Sequence, residues 1–160
     1  MDLPPFQQLV DAHWRDVARL AHALAGPSHG DDVAQQAWTR ALAAYPGLTS
    51  PRNLRAWLLT ITRHCAMDVH RASRRTVPVE EPGLLAEAPV TGAARDPRPE
   101  LWAAVAGLPE RQRAAIALKY VTDLDHRAIA HVLDTSPAMS RRLVSDGLAT
   151  LRLTLPEESR

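Results

Sequence analysis

The chain has 160 residues, an apolar fraction of 46% and a formal net charge of +1 from 19 basic and 18 acidic side chains. An apolar fraction this high excludes a chain that is disordered throughout. Because basic and acidic side chains nearly balance, the net charge indicates nothing about a binding partner. Cys65 is the single cysteine, which excludes an internal disulfide, and no run is apolar enough for a signal peptide or a membrane span, so we expect a cytoplasmic protein.

Apolar residues recur at helical spacing along the first half of the chain, whereas alternating strand patterns are nearly absent. The first predicted helix runs from about residue 6 to residue 24 and stops at Gly26. The second begins near Asp31, whose carboxylate suits a helix N-terminus, and ends before Pro46. A third helix contains residues 57–75.

The third helix separates apolar from cationic side chains. On a helical wheel a stripe covering roughly a third of the circumference is predicted to be buried. It consists of Leu54, Trp57, Leu58, Ile61, Cys65 and Val69. The basic side chains predicted to face outward are Arg63, His64, His70, Arg71, Arg74 and Arg75. Asp68 is expected to pair with an arginine of its own domain. Because ordinary solvated faces mix both signs, this face predicts a polyanionic partner, most commonly nucleic acid.

Prolines recur through residues 77–98, which we interpret as a semi-extended, flexible linker. The sequence therefore predicts an all-α fold of two small helical domains, residues 1–76 and residues 99–155. A linker of this composition permits many relative placements of the domains.

Residues 123–152 have the form of a helix-turn-helix. Asp125 is predicted to cap its first helix, and Ser136 with Pro137 to start its second. The side chains predicted to be mostly buried around this motif include Tyr120, Met139, Leu143, Val144, Leu148 and Leu151. Those predicted to face outward are Ala138, Arg141, Arg142 and Ser145. In this motif the outward face enters the major groove of DNA, although a helical hairpin with a polar face would show the same pattern.

The stretch HCAMDVH is the best place to look for a metal site, since His64 and Asp68 have the four-residue spacing that puts two ligands on one helix face. However, Cys65 falls on the apolar stripe and His70 lies away from Asp68. We therefore predict no metal site, no cofactor, no catalytic residues and no enzymatic activity, and interpret Cys65 as a small core residue.

Three motifs, in their order and spacing, resemble those of the extracytoplasmic-function (ECF) sigma factors, RNA polymerase subunits that keep only sigma regions two and four around a flexible linker. GDDVAQQAWTRAL, residues 30–42, resembles the helix that docks on core RNA polymerase. Residues 53–75 resemble the helix that melts and reads the minus-ten promoter element, and residues 108–137 resemble region four, which reads the minus-thirty-five element.

The resemblance implies a protein that directs core RNA polymerase to specific promoters and assists DNA melting, with a partner anti-sigma factor and no insertion into a membrane. The residues that it assigns to core polymerase binding are Asp32, Gln35, Gln36 and Arg40. Those that it assigns to the minus-ten element are Asn53, Arg63, His64, Arg71, Arg74 and Arg75. Those for the minus-thirty-five element are Ala138, Arg141, Arg142 and Ser145.

Two other functions stay open. One is a DNA-binding regulator that uses the helix-turn-helix alone and never joins polymerase. The other is a sigma-like adaptor that docks on polymerase or another protein without reading DNA, because Leu143 and Asp146 stand where the family commonly has basic residues.

Overall fold

The computed structural model describes residues 2–75, the last two of them by backbone only, and residues 98–157. Within these two ranges the chain forms seven α-helices, a single 3-10 turn and no strand, so the predicted all-α fold is confirmed. The predicted linker, residues 77–98, lies outside the described residues except for its last one.

The first module consists of three helices that pack on one another. They are α1 (Phe6–Ala25), α2 (Gly30–Ala44) and α3 (Leu54–Arg75), with a 3-10 turn at Tyr45–Gly47 after α2. The chain leaves α1 at Gly26, whose φ of +79° is favourable only for glycine. Asp31 and Asp32 lie in the first turn of α2, where their charge favours the helix dipole. These helices lie close to their predicted positions.

The predicted stripe of α3 does form the interior of this module. Leu58 and Cys65 are fully buried, and the other stripe residues are partly buried against the core. An aromatic cluster closes one end, where the ring of Phe6 lies 5.3 Å from that of Tyr45, which in turn lies 6.2 Å from that of Trp57. The Tyr45 hydroxyl donates to the backbone of the N-terminal segment. This packing fixes the start of α3.

The second module contains α4 (Pro99–Ala106), α5 (Glu110–Tyr120), α6 (His126–Leu133) and α7 (Pro137–Thr154). The predicted caps of the helix-turn-helix are confirmed. The Asp125 carboxylate accepts from the Ala128 amide at 2.8 Å, and the Ser136 hydroxyl accepts from the Met139 amide at 3.1 Å. Pro137 occupies the first turn of α7, where its missing N–H costs nothing.

Two core predictions for this module are wrong. Met139 is 37% exposed and Tyr120, the last residue of α5, is 59% exposed. The buried face of α7 instead runs through Ser140, Val144, Gly147 and Leu151. This set also has helical spacing, but it begins with a hydroxyl and contains a glycine. Residue type alone therefore made Met139, and not the neighbouring Ser140, the expected core residue.

The two modules share one continuous hydrophobic core, although the sequence leaves their placement open. Helix α1 contacts α5, and α3 contacts α6. Leu20 and Leu58 of the first module belong to the same buried cluster as Leu118 and Ile129 of the second. The second module therefore covers part of α3. Across the described ranges, no helix has the length and apolar character needed to cross a membrane.

Candidate nucleic-acid interface

The exposed side of α2 carries the residues predicted to bind polymerase. Asp32, Gln35, Gln36 and Arg40 are all exposed, and together with Thr39 they line one shallow depression. The Thr39 hydroxyl donates to the Gln35 carbonyl at 2.9 Å, which satisfies it within the helix. The structure thus brings the four predicted residues together on one accessible surface, and no other helix covers it in the described part of the chain.

Arg40 connects this surface to α3. Its Nη2 atom lies 2.9 Å from Oδ2 of Asp68, and Oδ1 of Asp68 lies 3.8 Å from Nη1 of Arg71. The hydrogen bond to Asp68 raises the pKa of Arg40 further above its ordinary value. The expectation that Asp68 pairs with an arginine of its own domain is confirmed, and the pair links two predicted binding surfaces.

Asn53 lies in the loop directly before α3 with a φ of +55°, a left-handed conformation that asparagine tolerates better than most residues. Its carbonyl accepts from the Trp57 amide at 2.9 Å, so it forms the start of the helix. Upstream, the Ser50 hydroxyl accepts from the Arg52 amide at 3.2 Å. The Asn53 side chain is exposed, as capture of an unpaired base would require.

The basic side chains of α3 do not all lie on one open face. His64 and Arg71 are exposed. The side chains of Arg74 and Arg75 lie outside the described residues, although their backbone continues α3.

Arg63 is only 8% exposed, so the prediction that it points outward is wrong in this structure. Its Nε and Nη2 atoms donate to the two carboxylate oxygens of Glu110 at 2.9 and 3.0 Å. The reason is that the carboxylate of Glu110, in the first turn of α5, lies against this side of α3. The predicted DNA contact of Arg63 stays a prediction.

His70, also predicted to face outward, lies in the same interdomain contact. Its Nε2 atom is 2.8 Å from Nη1 of Arg113 and 3.2 Å from the Leu24 carbonyl. Arg113 also donates to the Leu108 carbonyl at 3.0 Å. A guanidinium can only donate and a carbonyl can only accept, so Nε2 can serve one of these two contacts at a time: it accepts from Arg113 in one tautomer and donates to Leu24 in the other.

Sequence reasoning missed the partners in this contact. Arg55 donates to Asp16 at 2.8 Å and to the Thr122 carbonyl of the second module. Glu110 and Arg113 also make polar contacts with the first module. The one available signal was Arg113 itself, since a cation within an alanine-rich, buried run needs a polar partner.

The outward face of α7 presents Ala138, Arg141, Arg142 and Ser145, all exposed, as the sequence predicts. Asp146 lies on the same side, with its carboxylate 3.8 Å from Nε of Arg142. The face therefore offers guanidinium groups to a polyanion, but one of them has a carboxylate beside it.

A polar contact fixes α7 against α6. Ser140 is fully buried, and its hydroxyl lies 2.9 Å from Nδ1 of His126. Burial lowers the pKa of His126, and the positive charges of Lys119 and Arg141 lower it further, against an opposing effect of Asp125. The contact holds the first turn of α7, directly before Arg141.

The side chains considered as metal ligands point in different directions. His64 is exposed, whereas Cys65 is fully buried in the core. Desolvation raises the pKa of the Cys65 thiol. Within residues 2–75 and 98–157, no three His, Cys, Asp or Glu side chains form a group that could hold a metal ion.

The two modules match two regions of one protein family. Residues 9–76 match sigma-70 region 2, and residues 98–151 match sigma-70 region 4. Among characterised proteins, the chain is 28% identical to the ECF RNA polymerase sigma factor SigE of Mycolicibacterium smegmatis over 169 aligned positions, which cover 98% of this chain and 64% of SigE. It is also 28% identical to the ECF sigma factor SigC of Mycobacterium tuberculosis over 129 positions, 79% of this chain and 70% of SigC.

Solved structures share the fold. The sigma factor RpoE of Bartonella quintana, in complex with the anti-sigma factor NepR, superposes with a TM-score of 0.75 at 22% identity, over 93% of this chain and 95% of RpoE. CnrH, in complex with the cytosolic domain of CnrY, superposes with a TM-score of 0.70 at 22% identity, over 92% of this chain and 85% of CnrH. With regions 2 and 4 present in order and ECF sigma factors among its relatives, the chain belongs to the ECF group of the sigma-70 family.

Proposed function

We propose that this protein is a promoter-specificity subunit, which binds core RNA polymerase, directs it to defined promoters and assists strand opening. The observation that carries the proposal is the presence of three separate exposed surfaces in sigma order along one chain. They are the polar side of α2, the start of α3 together with the exposed His64 and Arg71, and the outward face of α7. In this assignment residues 1–76 are the region-two module, residues 77–98 the linker and residues 99–155 the region-four module.

The α2 surface would dock on core polymerase. Asp32, Gln35, Gln36 and Arg40 offer an acid, two amides and a guanidinium within one helical face. Such a mixed set suits a partner surface with its own charged groups, since complementary charges set orientation and association rate. The pair between Arg40 and Asp68 holds the guanidinium in a fixed position.

Helix α3 and the loop before it would act at the minus-ten element. Asn53 would hydrogen bond a base taken out of the stack, which costs a few kcal/mol of unstacking. His64, Arg71, Arg74 and Arg75 would contact the phosphates on either side of the opened strand. Arg63 would join them only after Glu110 releases it.

Helix α7 would read the minus-thirty-five element in the major groove, with Arg141 and Arg142 contacting bases or phosphates and with Ala138 and Ser145 close to the groove floor. The protein would supply sequence choice and strand opening, while polymerase performs all bond-making chemistry. It would act in the cytoplasm. An anti-sigma protein is the expected regulator. RpoE, which shares this fold, was solved in complex with the anti-sigma factor NepR, and CnrH was solved in complex with the cytosolic domain of CnrY.

A second candidate is an adaptor that docks on polymerase but reads DNA weakly. Asp146, beside Arg142 on the outward face of α7, favours it, because a carboxylate there repels phosphate. In that case, changing Arg141 and Arg142 to alanine would leave promoter selection unaltered.

Binding of purified chain to core polymerase tests the proposed docking surface. We expect Asp32→Ala and Arg40→Ala to weaken binding at least tenfold, whereas Arg19→Ala, which removes an exposed arginine from α1, should have little effect. Unchanged affinity in both α2 variants would rule out this surface.

A further inference from the structure

His126 lies where three helices of the second module meet. It is the first residue of α6, its ring reaches the first turn of α7, and the charge of Lys119, in the last turn of α5, acts on it. Nδ1 of the ring lies 2.9 Å from the hydroxyl of Ser140, which is fully buried. His126 itself is partly exposed, so it can exchange protons with water. A titratable side chain therefore bonds a buried polar group of α7.

Ser140 is the hydroxyl-bearing member of the inward face of α7, whose other residues are Val144, Gly147 and Leu151. A buried hydroxyl costs free energy unless it is hydrogen bonded, and the ring of His126 supplies a partner. The contact thus fixes the first turn of α7 against α6, at the residue directly before the outward face that carries the exposed arginines.

The surroundings of the ring favour its uncharged form. Burial lowers the pKa of His126, and the positive charges of Lys119 and Arg141 lower it further. Asp125, the cap of α6, opposes them but does not reverse the shift. Helix α3 also packs on α6, and the buried residues that the two helices add to the core are apolar. A protonated ring can only donate, and it carries its charge beside two cations, so protonation disfavours the packed arrangement.

We propose that His126, acting through Ser140, is a positioning residue for the DNA-reading face of α7, and that it fills this role only while its ring is uncharged. The inference rests on the proposed reading of DNA by α7. On protonation the ring leaves the hydroxyl, the first turn of α7 is no longer held against α6, and Arg141 loses its fixed position. Ser140 can then donate to the carbonyl four residues before it, so the helix itself survives. DNA reading by α7 consequently weakens as pH falls.

A direct effect of the charged ring on DNA would have the opposite sign. If His126 acted by its own charge, protonation would add a cation beside the phosphates, and binding would strengthen in acid. Positioning predicts weaker binding in acid, and only where the Ser140 hydroxyl is present. The sign of the pH effect and its dependence on Ser140 therefore separate the two modes of action.

The test compares four full-length chains between about pH 7.5 and about pH 5, the range in which a histidine titrates. They are the wild type, His126→Asn, Ser140→Ala and His131→Asn, the last being the matched control at an exposed histidine of α6. His126→Asn keeps a hydrogen-bonding group but does not titrate, whereas Ser140→Ala keeps the titrating ring and removes its partner. The probe is a DNA duplex that the wild type selects from a random-sequence pool at the upper pH, and fluorescence anisotropy at fixed salt measures its affinity.

We expect the wild type and His131→Asn to lose affinity several-fold relative to His126→Asn as pH falls. Ser140→Ala should show no more pH dependence than His126→Asn. Hydrogen exchange of the proteins alone, followed by NMR, gives a second measure, since protection of the Arg141 amide should fall with pH in the wild type and stay constant in His126→Asn. Circular dichroism checks the helices at each pH, and should His126→Asn fail to fold, the comparison of the wild type with Ser140→Ala decides.

Parallel pH profiles of DNA affinity for the wild type and His126→Asn would overturn the proposal, and so would tighter binding by the wild type in acid. A pH dependence that survives in Ser140→Ala would show that the ring does not act through the hydroxyl, and constant protection of the Arg141 amide in the wild type would show that the turn is not released. Failure to select any duplex would instead count against the proposed function, while hydrogen exchange, which needs no DNA, still decides the effect of the ring on α7.

Discussion

Arg40 of α2 and Asp68 of α3 lie 2.9 Å apart, and the second oxygen of Asp68 lies 3.8 Å from Arg71. One carboxylate therefore orients two arginines that belong to different proposed surfaces, one for polymerase and one for promoter DNA. Asp68 itself is half exposed and need not contact either partner.

Replacing Asp68 with asparagine should cost little stability. Both side chains of the pair with Arg40 are more than 40% exposed, so water screens the charges and the expected loss is below about 1 kcal/mol. Asp16→Asn is the comparison, because Asp16 is only 23% exposed and pairs with Arg55 at 2.8 Å. Urea unfolding should give the larger loss for Asp16→Asn. The reverse order would contradict the assignment of Asp68 as a surface orienting group.

Gly30 at the start of α2 has no room for a side chain. A Cβ atom there would lie 2.3 Å from Nδ1 of His22, whose ring also contacts Asp31 at 2.9 Å. We expect Gly30→Ala to destabilise the protein by about 1–3 kcal/mol, because the His22 ring must move and its contact with Asp31 is then disturbed.

The control for this steric effect is Gly47→Ala, where a Cβ would meet nothing within 4 Å. Its thermal midpoint should lie close to that of the wild type. Adding His22→Ala to Gly30→Ala should recover much of the loss, and a double variant no more stable than Gly30→Ala would show that crowding is not the cause.

His126 makes stability depend on pH. Burial and the nearby positive charges lower its pKa in the folded chain below the ordinary value of about 6.5 that it regains on unfolding. The unfolded chain then binds more protons, so this contribution to stability is fully present above pH of about 6.5 and is lost as pH falls from there through the folded pKa.

The variant His126→Asn is a suitable non-titrating comparison, because the amide that it introduces can still reach the buried Ser140 hydroxyl. Urea unfolding between about pH 7.5 and pH 5 should show a steeper loss of stability for the wild type than for His126→Asn. The pKa of His13 is also lowered, mainly by burial, but this residue adds the same pH dependence of stability to the wild type and to His126→Asn. Parallel pH profiles would exclude His126 as the source.

Cys65 should be chemically silent in the native protein. Its side chain is fully buried, and desolvation raises the pKa of the thiol, so little reactive thiolate is accessible. Alkylation by iodoacetamide should be at least about tenfold slower than that of a Cys65→Ala, Ser28→Cys variant, whose single thiol lies on the surface. Denaturant should abolish the difference. Comparable native rates would mean that α3 does not bury this position.

Local signals explain what the sequence predicted well. Asp125, Ser136 and Pro137 mark helix starts through contacts within a few residues, so the helix-turn-helix could be located without knowledge of its surroundings. The stripe containing Leu58 and Cys65 is likewise a property of one helix. The set proposed for polymerase binding on α2 came instead from the resemblance to ECF sigma factors, and the structure places its four members on one exposed helical face.

What the sequence could not predict depends on residues far apart in the chain. Arg63 and Glu110 are separated by 47 positions and by the linker, and no helical wheel of α3 includes the module that covers it. Ser140 was missed for another reason, since its buried hydroxyl is acceptable only because His126 satisfies it. Both errors arose where a polar group lies inside and tertiary contacts compensate for it.

Run-off transcription with purified core RNA polymerase across a promoter library, repeated at several salt concentrations, tests whether this chain is a promoter-specificity subunit. We predict that adding the wild-type chain yields transcripts from a defined set of promoters. Arg40→Ala should reduce all of them, and Arg141→Ala with Arg142→Ala should weaken or shift promoter choice. No promoter-dependent transcript at any salt concentration, with a chain that is folded and binds core polymerase, would contradict the proposed function.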